Sequence, residues 1–172
     1  IARTLSHSKI AKEDSVAVVP LGGFHRWEQV EPFKWLLDEF LEDAVSVHVL
    51  LDRDYRSDDV AESVRRQLRR VGVKPHIWKR KELENYLLHP AALARASGAP
   101  ESWVVEALAQ CADELEDEVY AQIHGEHARR ERRAGKADTT ISREAKQRAD
   151  QAWRQPSRRL HVCGGKDVLR LL

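Results

Sequence analysis

Hydrophobic positions along this chain fall into two kinds of run, and the breaks between them predict its elements. Three short runs rich in β-branched residues, 16–19, 45–51 and 73–78, read as strands. The first is stopped by Pro20 and a tight turn at Gly22-Gly23, and Pro75 places the third near a sheet edge. Between the first two, residues 27–42 carry Val30, Phe33, Trp35, Leu36, Leu37, Phe40 and Leu41 at near-helical spacing. That stretch predicts an amphipathic crossover with its aromatics in the core. Residues 57–72 predict a second helix, with Ser57 as N-cap, Asp58 and Asp59 at its positive end, Arg69 and Arg70 at its negative end, and Gly72 as its stop. Strands alternating with helices imply right-handed βαβ crossovers and a parallel sheet. Upstream, residues 1–10 predict the end of a helix, with Leu5 and Ile10 as packing positions.

The second half has a helical period. From Pro100 to Arg133 an apolar stripe (Val104, Val105, Leu108, Ala112, Leu115, Val119, Ile123) predicts one long helix or a helix pair. Its polar face is first acidic, residues 113–118, and then basic, at Arg129, Arg130, Arg132, Arg133 and Lys136. Those five residues are the candidate nucleic-acid contacts, because a basic helical arm can neutralise phosphates. The tail predicts an extended piece near residue 160, a turn at Gly164-Gly165, and a helix that starts with Lys166. Lysine and free amides at a helix start suit an anion, but with Asp167 in place of Ser or Thr this is no Walker A loop.

The central run ends in Asp52-Arg53-Asp54. If the strand continues through them, alternation sends both carboxylates to one side, roughly 6–7 Å apart at the α-carbons. That spacing suits a hard divalent cation, at the strand end where open α/β sheets bind ligands. A second chemically loaded stretch, Lys79-Arg80-Lys81-Glu82-Leu83-Glu84-Asn85-Tyr86, follows the third strand.

Overall charge narrows little: 29 basic and 28 acidic residues leave a formal +1, so only the local distribution of charge speaks to a nucleic-acid partner. Two cysteines are too few for a disulfide framework, which points to a reducing, cytoplasmic location. There is no apolar run of membrane-spanning length. The sequence starts at Ile1 and lacks methionine, so the expectation is an excerpt of a longer polypeptide.

The ordered set Val19-Pro20-Leu21-Gly22-Gly23, Leu50-Leu51-Asp52-Arg53-Asp54-Tyr55, Trp78 to Leu87 and Gly165-Lys166 resembles the Toprim domain of topoisomerases, bacterial primases and nucleases. The nearest likeness is to the OLD (overcoming lysogenization defect) family of ATP-dependent endonucleases. The resemblance implies an α/β fold, a Toprim-like parallel sheet flanked by helices. Residues 1–95 would form the core, 96–158 a helical insertion, and 159–172 the piece that completes the domain. It further implies metal-dependent cleavage of DNA with two Mg²⁺ or Mn²⁺ ions, held by Asp52, Asp54, Glu84 and, as an alternative, Glu82. Lys166 would stabilise the phosphate, making Asp52, Asp54 and Lys166 the catalytic set. An ATPase module in the same polypeptide and a homodimer are the partners it suggests. One part of the Toprim pattern departs: its glutamate-bearing first strand does not precede residue 16 and is expected upstream of Ile1. Two other readings stand beside this one. Asp-x-Asp after an apolar strand also marks haloacid-dehalogenase-like phosphatases, although Arg56 sits where they use Thr or Val. The third reading is a Toprim-like module that binds DNA or a partner without cutting.

Overall fold

The structure, a computed structural model, describes residues 16–41 and 45–172. The helix end expected over residues 1–10 and the last residue of the 27–42 helix lie outside the described residues. The described chain is mostly helical around a small parallel sheet, α/β only in a loose sense. A 3₁₀ turn (Phe24–Gln29) runs into α1 (Val30–Leu41), and β1 (His48–Leu51), α2 (Asp58–Arg70) and β2 (Lys74–Ile77) follow. A second 3₁₀ turn (Leu83–Tyr86) leads to α3 (Pro90–Ser97), α4 (Glu101–Glu114), α5 (Glu116–Arg133), α6 (Asp138–Trp153), α7 (Pro156–Val162) and α8 (Gly165–Leu171).

The unit β1–α2–β2 is the expected crossover, with His48 opposite Lys74 and Leu51 opposite Ile77. Helix α2 presents Ala61, Val64 and Leu68 to the sheet at helical spacing. It ends as its sequence predicts. Gly72 takes φ 74°, its amide donates to Arg69 O at 3.1 Å, and that of Val73 donates to Leu68 O at 3.0 Å. This Schellman closure needs a left-handed residue, which glycine supplies without a Cβ penalty. Phe24, Val30, Val49, Leu51 and Ile77 complete this first core.

Several sequence expectations change here. Residues 16–19 form no strand, and Val18 and Val19 lie 69% and 64% exposed. A β-branched run favours a strand only when a partner strand and a face to pack on are present. β1 is covered on one face alone: Val49 and Leu51 are buried while Leu50 is 68% exposed. The aromatics of α1 are not core. Phe33, Trp35 and Phe40 face outward, because Phe24 and Val30 already fill the contact with the first core. The 100–133 region is a helix pair, α4 and α5, broken at Leu115. The extended piece expected near residue 160 is instead the end of α7.

A second core, built on Leu108, Val119, Ile123, Ala149, Trp153 and Val168, ties α4, α5 and α6 to the C-terminal helix α8. No helix among the described residues is long and apolar enough to cross a membrane.

Candidate active site at the exit of β1

The sheet delivers two loops to the same place. The Trp78 amide still donates to Leu51 O at 3.1 Å, and the Asp54 amide donates to Lys81 O at 2.8 Å, so the chains leaving β1 and β2 stay side by side. Strand geometry ends at Leu51, however. Asp54 adopts φ 51°, a left-handed conformation that Asp tolerates better than most residues. The two acids therefore lie on the loop that leaves β1, Asp54 in a turn, and are not neighbours on one strand face. Asp54 Oδ2 pairs with Arg56 Nη1 at 2.7 Å. Arg56 also stacks over Phe24 and approaches Glu126 at 3.9 Å.

The Glu82-Leu-Glu84-Asn85 turn is held from within and from far along the chain. Glu82 and Asn85 form a reciprocal capping box, with the Glu82 amide donating to Asn85 Oδ1 at 2.8 Å. Asn85, fully buried, spends its Nδ2 protons on Leu160 O (2.7 Å) and Cys163 O (2.9 Å). Glu82 Oε1 accepts the Lys166 amide at 3.0 Å. The tail thus docks on this turn, bringing Lys166 Nζ to 3.5 Å from Glu84 Oε1. Across from it, the Leu83 amide donates to Asp52 Oδ1 at 3.2 Å.

Asp52, Glu84 and Lys166, from three separate stretches, come within electrostatic reach of one another here. Glu82, the alternative to Glu84, is buried, and its carboxylate contacts the capped turn, the Lys166 amide and Lys81. Asp54 stays within electrostatic reach of Asp52 but is drawn to Arg56. On its side of the loop lies a polar cleft of about 420 Å³, lined among others by Asp54, Arg56, Lys81, Glu118, Glu126 and Asp167.

The basic residues of α5 form no uncompensated arm. Arg129 pairs with Glu126, Arg130 with Glu131 and Asp59, Arg132 with Asp138, and Lys136 with Glu131 and Glu144. Arg133 remains exposed. Two positioning residues escaped the sequence reading. Arg148 Nη2 donates to Tyr55 O at 3.0 Å, and its other amino group faces His127, which bonds Glu144 at 2.9 Å. Nothing local to Arg148 marks it. Asn85 carried a partial signal, because Glu82-x-x-Asn85 has capping-box spacing.

Electrostatics bear on what the site can hold. Burial raises the Asp52 carboxyl above the ordinary aspartate range, and Asp54, Glu84 and Glu82 add to the rise, while the Leu83 amide opposes it. Glu84, then Glu82, push the Lys166 ammonium up. Among the described residues no group of three or more His, Cys, Asp or Glu side chains is placed to hold a metal ion. Asp52 and Glu84 are the acids not consumed by a cap or an arginine. A strongly hydrated Mg²⁺ is commonly held by one or two carboxylates together with substrate phosphates. Two carboxylates among the described residues are fewer oxygen donors than a pair of ions needs.

A carboxyl whose folded pKa is raised contributes stability below its unfolded pKa and loses it as pH rises through the folded value. Asp52→Asn keeps an oxygen for the Leu83 amide and removes the crowded charge. The variant is expected to melt on the order of 1–2 °C higher at pH 7, a small gain because water screens this partly exposed group. The gain should vanish below the ordinary aspartate pKa. Thermal melts at several pH values check it, and a variant no more stable than wild type at pH 7 contradicts the assignment.

No protein family, curated protein or solved structure matches this chain.

Proposed function

We propose that this chain is the catalytic domain of a metal-dependent DNA endonuclease, built on a Toprim-like core and belonging to a larger ATPase-nuclease of the OLD type. The observation that carries the reading is the meeting of Asp52, Glu84 and Lys166 at the β1 exit, each fixed by contacts that run between distant stretches. Burial first, and then the charges of Asp54 and Glu84, raise the Asp52 pKa, and a cation beside its carboxylate would offset that cost. The chemistry supplied by bound Mg²⁺ or Mn²⁺ is polarisation of a phosphoryl oxygen and activation of water. Asp52 and Glu84 would hold that ion, and Asp54, whose charge also acts on Asp52, is a further carboxylate of the site. Lys166, 58% exposed at its side chain, extends a positive charge toward the point where the phosphate becomes more negative.

Plasmid nicking by the full-length protein in Mg²⁺ or Mn²⁺ tests this. Asp52→Ala, Glu84→Ala and Lys166→Met are each expected to slow it about 100-fold or more, the size usual for loss of one transition-state contact. Added metal should raise the melting temperature of wild type and leave Asp52→Ala unmoved. Undiminished nicking by all three variants would falsify the assignment.

A second reading, a Toprim-like module that binds DNA without cutting, draws on the missing third metal ligand among the described residues. DNA binding without cleavage across several divalent metals selects it. The phosphatase alternative needs Asp54 free to transfer a proton beside a nucleophilic Asp52, and the Arg56 ion pair works against that.

A further inference from the structure

We infer that Trp78, Arg80 and Tyr86, at the exit of β2, form a seat for an unpaired nucleobase, so that the substrate class is nucleic acid with single-stranded character at the cut. The inference rests on the nuclease reading for its chemistry but not for its binding. His76 lies on the face of β2 opposite buried Ile77, and Trp78, just past the strand end, packs beside it. Their rings meet edge to face at 4.3 Å, and Tyr86 continues the row at 5.5 Å from Trp78. Large rings normally go into a core, yet none of these three belongs to either core cluster, and Tyr86 is 39% exposed.

The row is pinned and not loosely presented. The Tyr86 hydroxyl accepts the Lys79 amide at 3.1 Å and the Arg80 amide at 3.4 Å. The Arg80 guanidinium lies 4.7 Å over the Tyr86 ring and donates to Asn85 O.

Charge complements the rings. Arg80 has no carboxylate partner among the described residues, and together with Arg158 it depresses the pKa of the half-buried His161, whose own burial is the larger cause. Exposed Lys79 adds to the same field. Partly exposed rings beside cations that lack a carboxylate partner match a single strand, which offers phosphates and unstacked bases together. A duplex offers the phosphates but keeps its base faces stacked. The seat is also close to the proposed centre: Tyr86 follows Glu84 by two residues in one 3₁₀ turn, about 4 Å along its axis.

Fluorescence anisotropy of the full chain in EDTA, with a short labelled oligothymidylate and an abasic backbone of equal length, tests the seat without cleavage. Wild type is expected to bind the base-bearing probe about 10-fold more tightly than the abasic one. Trp78→Leu and Tyr86→Leu should each lose most of that preference while holding the abasic affinity, and Tyr86→Phe, which keeps the ring, should retain it. Melting curves identify a variant that has merely unfolded, and the other variant then decides. Wild type without a preference, or a preference intact in both leucine variants, overturns the seat; an acidic-peptide site would give that first result. Preference without nicking removes the nuclease reading alone, and nicking without preference removes the seat alone.

Discussion

Truncating Asn85 to alanine is expected to cost about 3–5 kcal/mol of stability and to lower the melting temperature by about 10 °C. The side chain is small, but it is fully buried and serves three backbone groups: the Glu82 amide and the carbonyls of Leu160 and Cys163. Among the described residues no other hydrogen bond is given to the Leu160 or Cys163 carbonyl, so alanine leaves the part-buried Leu160 carbonyl and the buried Cys163 carbonyl without a donor. An unmade buried hydrogen bond costs about 1–3 kcal/mol, because the group has given up water and gained nothing. Asn85→Asp should be no milder, since it keeps the acceptor for Glu82 and turns an oxygen toward two carbonyls. A thermal melt within a degree or two of wild type would show that the tail is held by something else. Because the same contacts dock the tail, Asn85→Ala should also depress nicking even at temperatures where the protein is folded.

Gly165→Ala is the second large effect and separates the site from general stability. A Cβ at Gly165 would sit 2.7 Å from the Asn85 backbone nitrogen and 2.9 Å from the Glu84 carbonyl carbon. Both are main-chain atoms inside the 3₁₀ turn and cannot swing aside. Helix α8 must therefore retreat, taking Lys166 from Glu84 and its amide from Glu82. Overpacking of this kind costs about 1–3 kcal/mol. Nicking is expected to fall as far as in Lys166→Met, since the charge is still present but displaced. Gly164→Ala provides the comparison: its Cβ would meet only the Asp167 side chain, which can rotate away. Equal nicking by the two alanine variants would mean that the close approach at residue 165 does not place the lysine.

Both predictions fall on one construction. The acids and the lysine are not mounted on a single rigid element; they are brought together by hydrogen bonds joining residues about thirty to eighty positions apart. Helix α6 takes part from a further side, since Arg148 holds the Tyr55 carbonyl just past Asp54. Helix α6 therefore braces the loop that carries Asp52 and Asp54, as well as packing in the second core.

Local pattern was enough for elements whose causes lie within a few residues. Helix α2 is legible from Ser57 to Gly72: its buried stripe, acidic start, basic end and left-handed stop are short-range effects. The same holds for the α4–α5 pair, and for the existence of β1 and β2. The Asp52-x-Asp54 pair stood out in the residues themselves, while Glu84, Glu82 and Lys166 joined it only through the family resemblance. What lay beyond local pattern depends on partners distant in the chain. Residues 16–19 have strand composition but no strand to pair with among the described residues, and the α1 aromatics have an apolar stripe with little core left to fill. Strand geometry stops at Leu51, so alternation could not predict where Asp54 would point. Glu82 and Glu84 look alike as letters, and only the docked tail makes one a buried cap and the other the lysine's neighbour. Likewise the basic run of α5 reads as free charge until α2 and α6 bring Asp59, Asp138 and Glu144 to it. Backbone preference and helix-end electrostatics act over one or two turns and are written in neighbouring residues; pairing, burial and charge compensation act through space, between residues that only the folded chain makes neighbours.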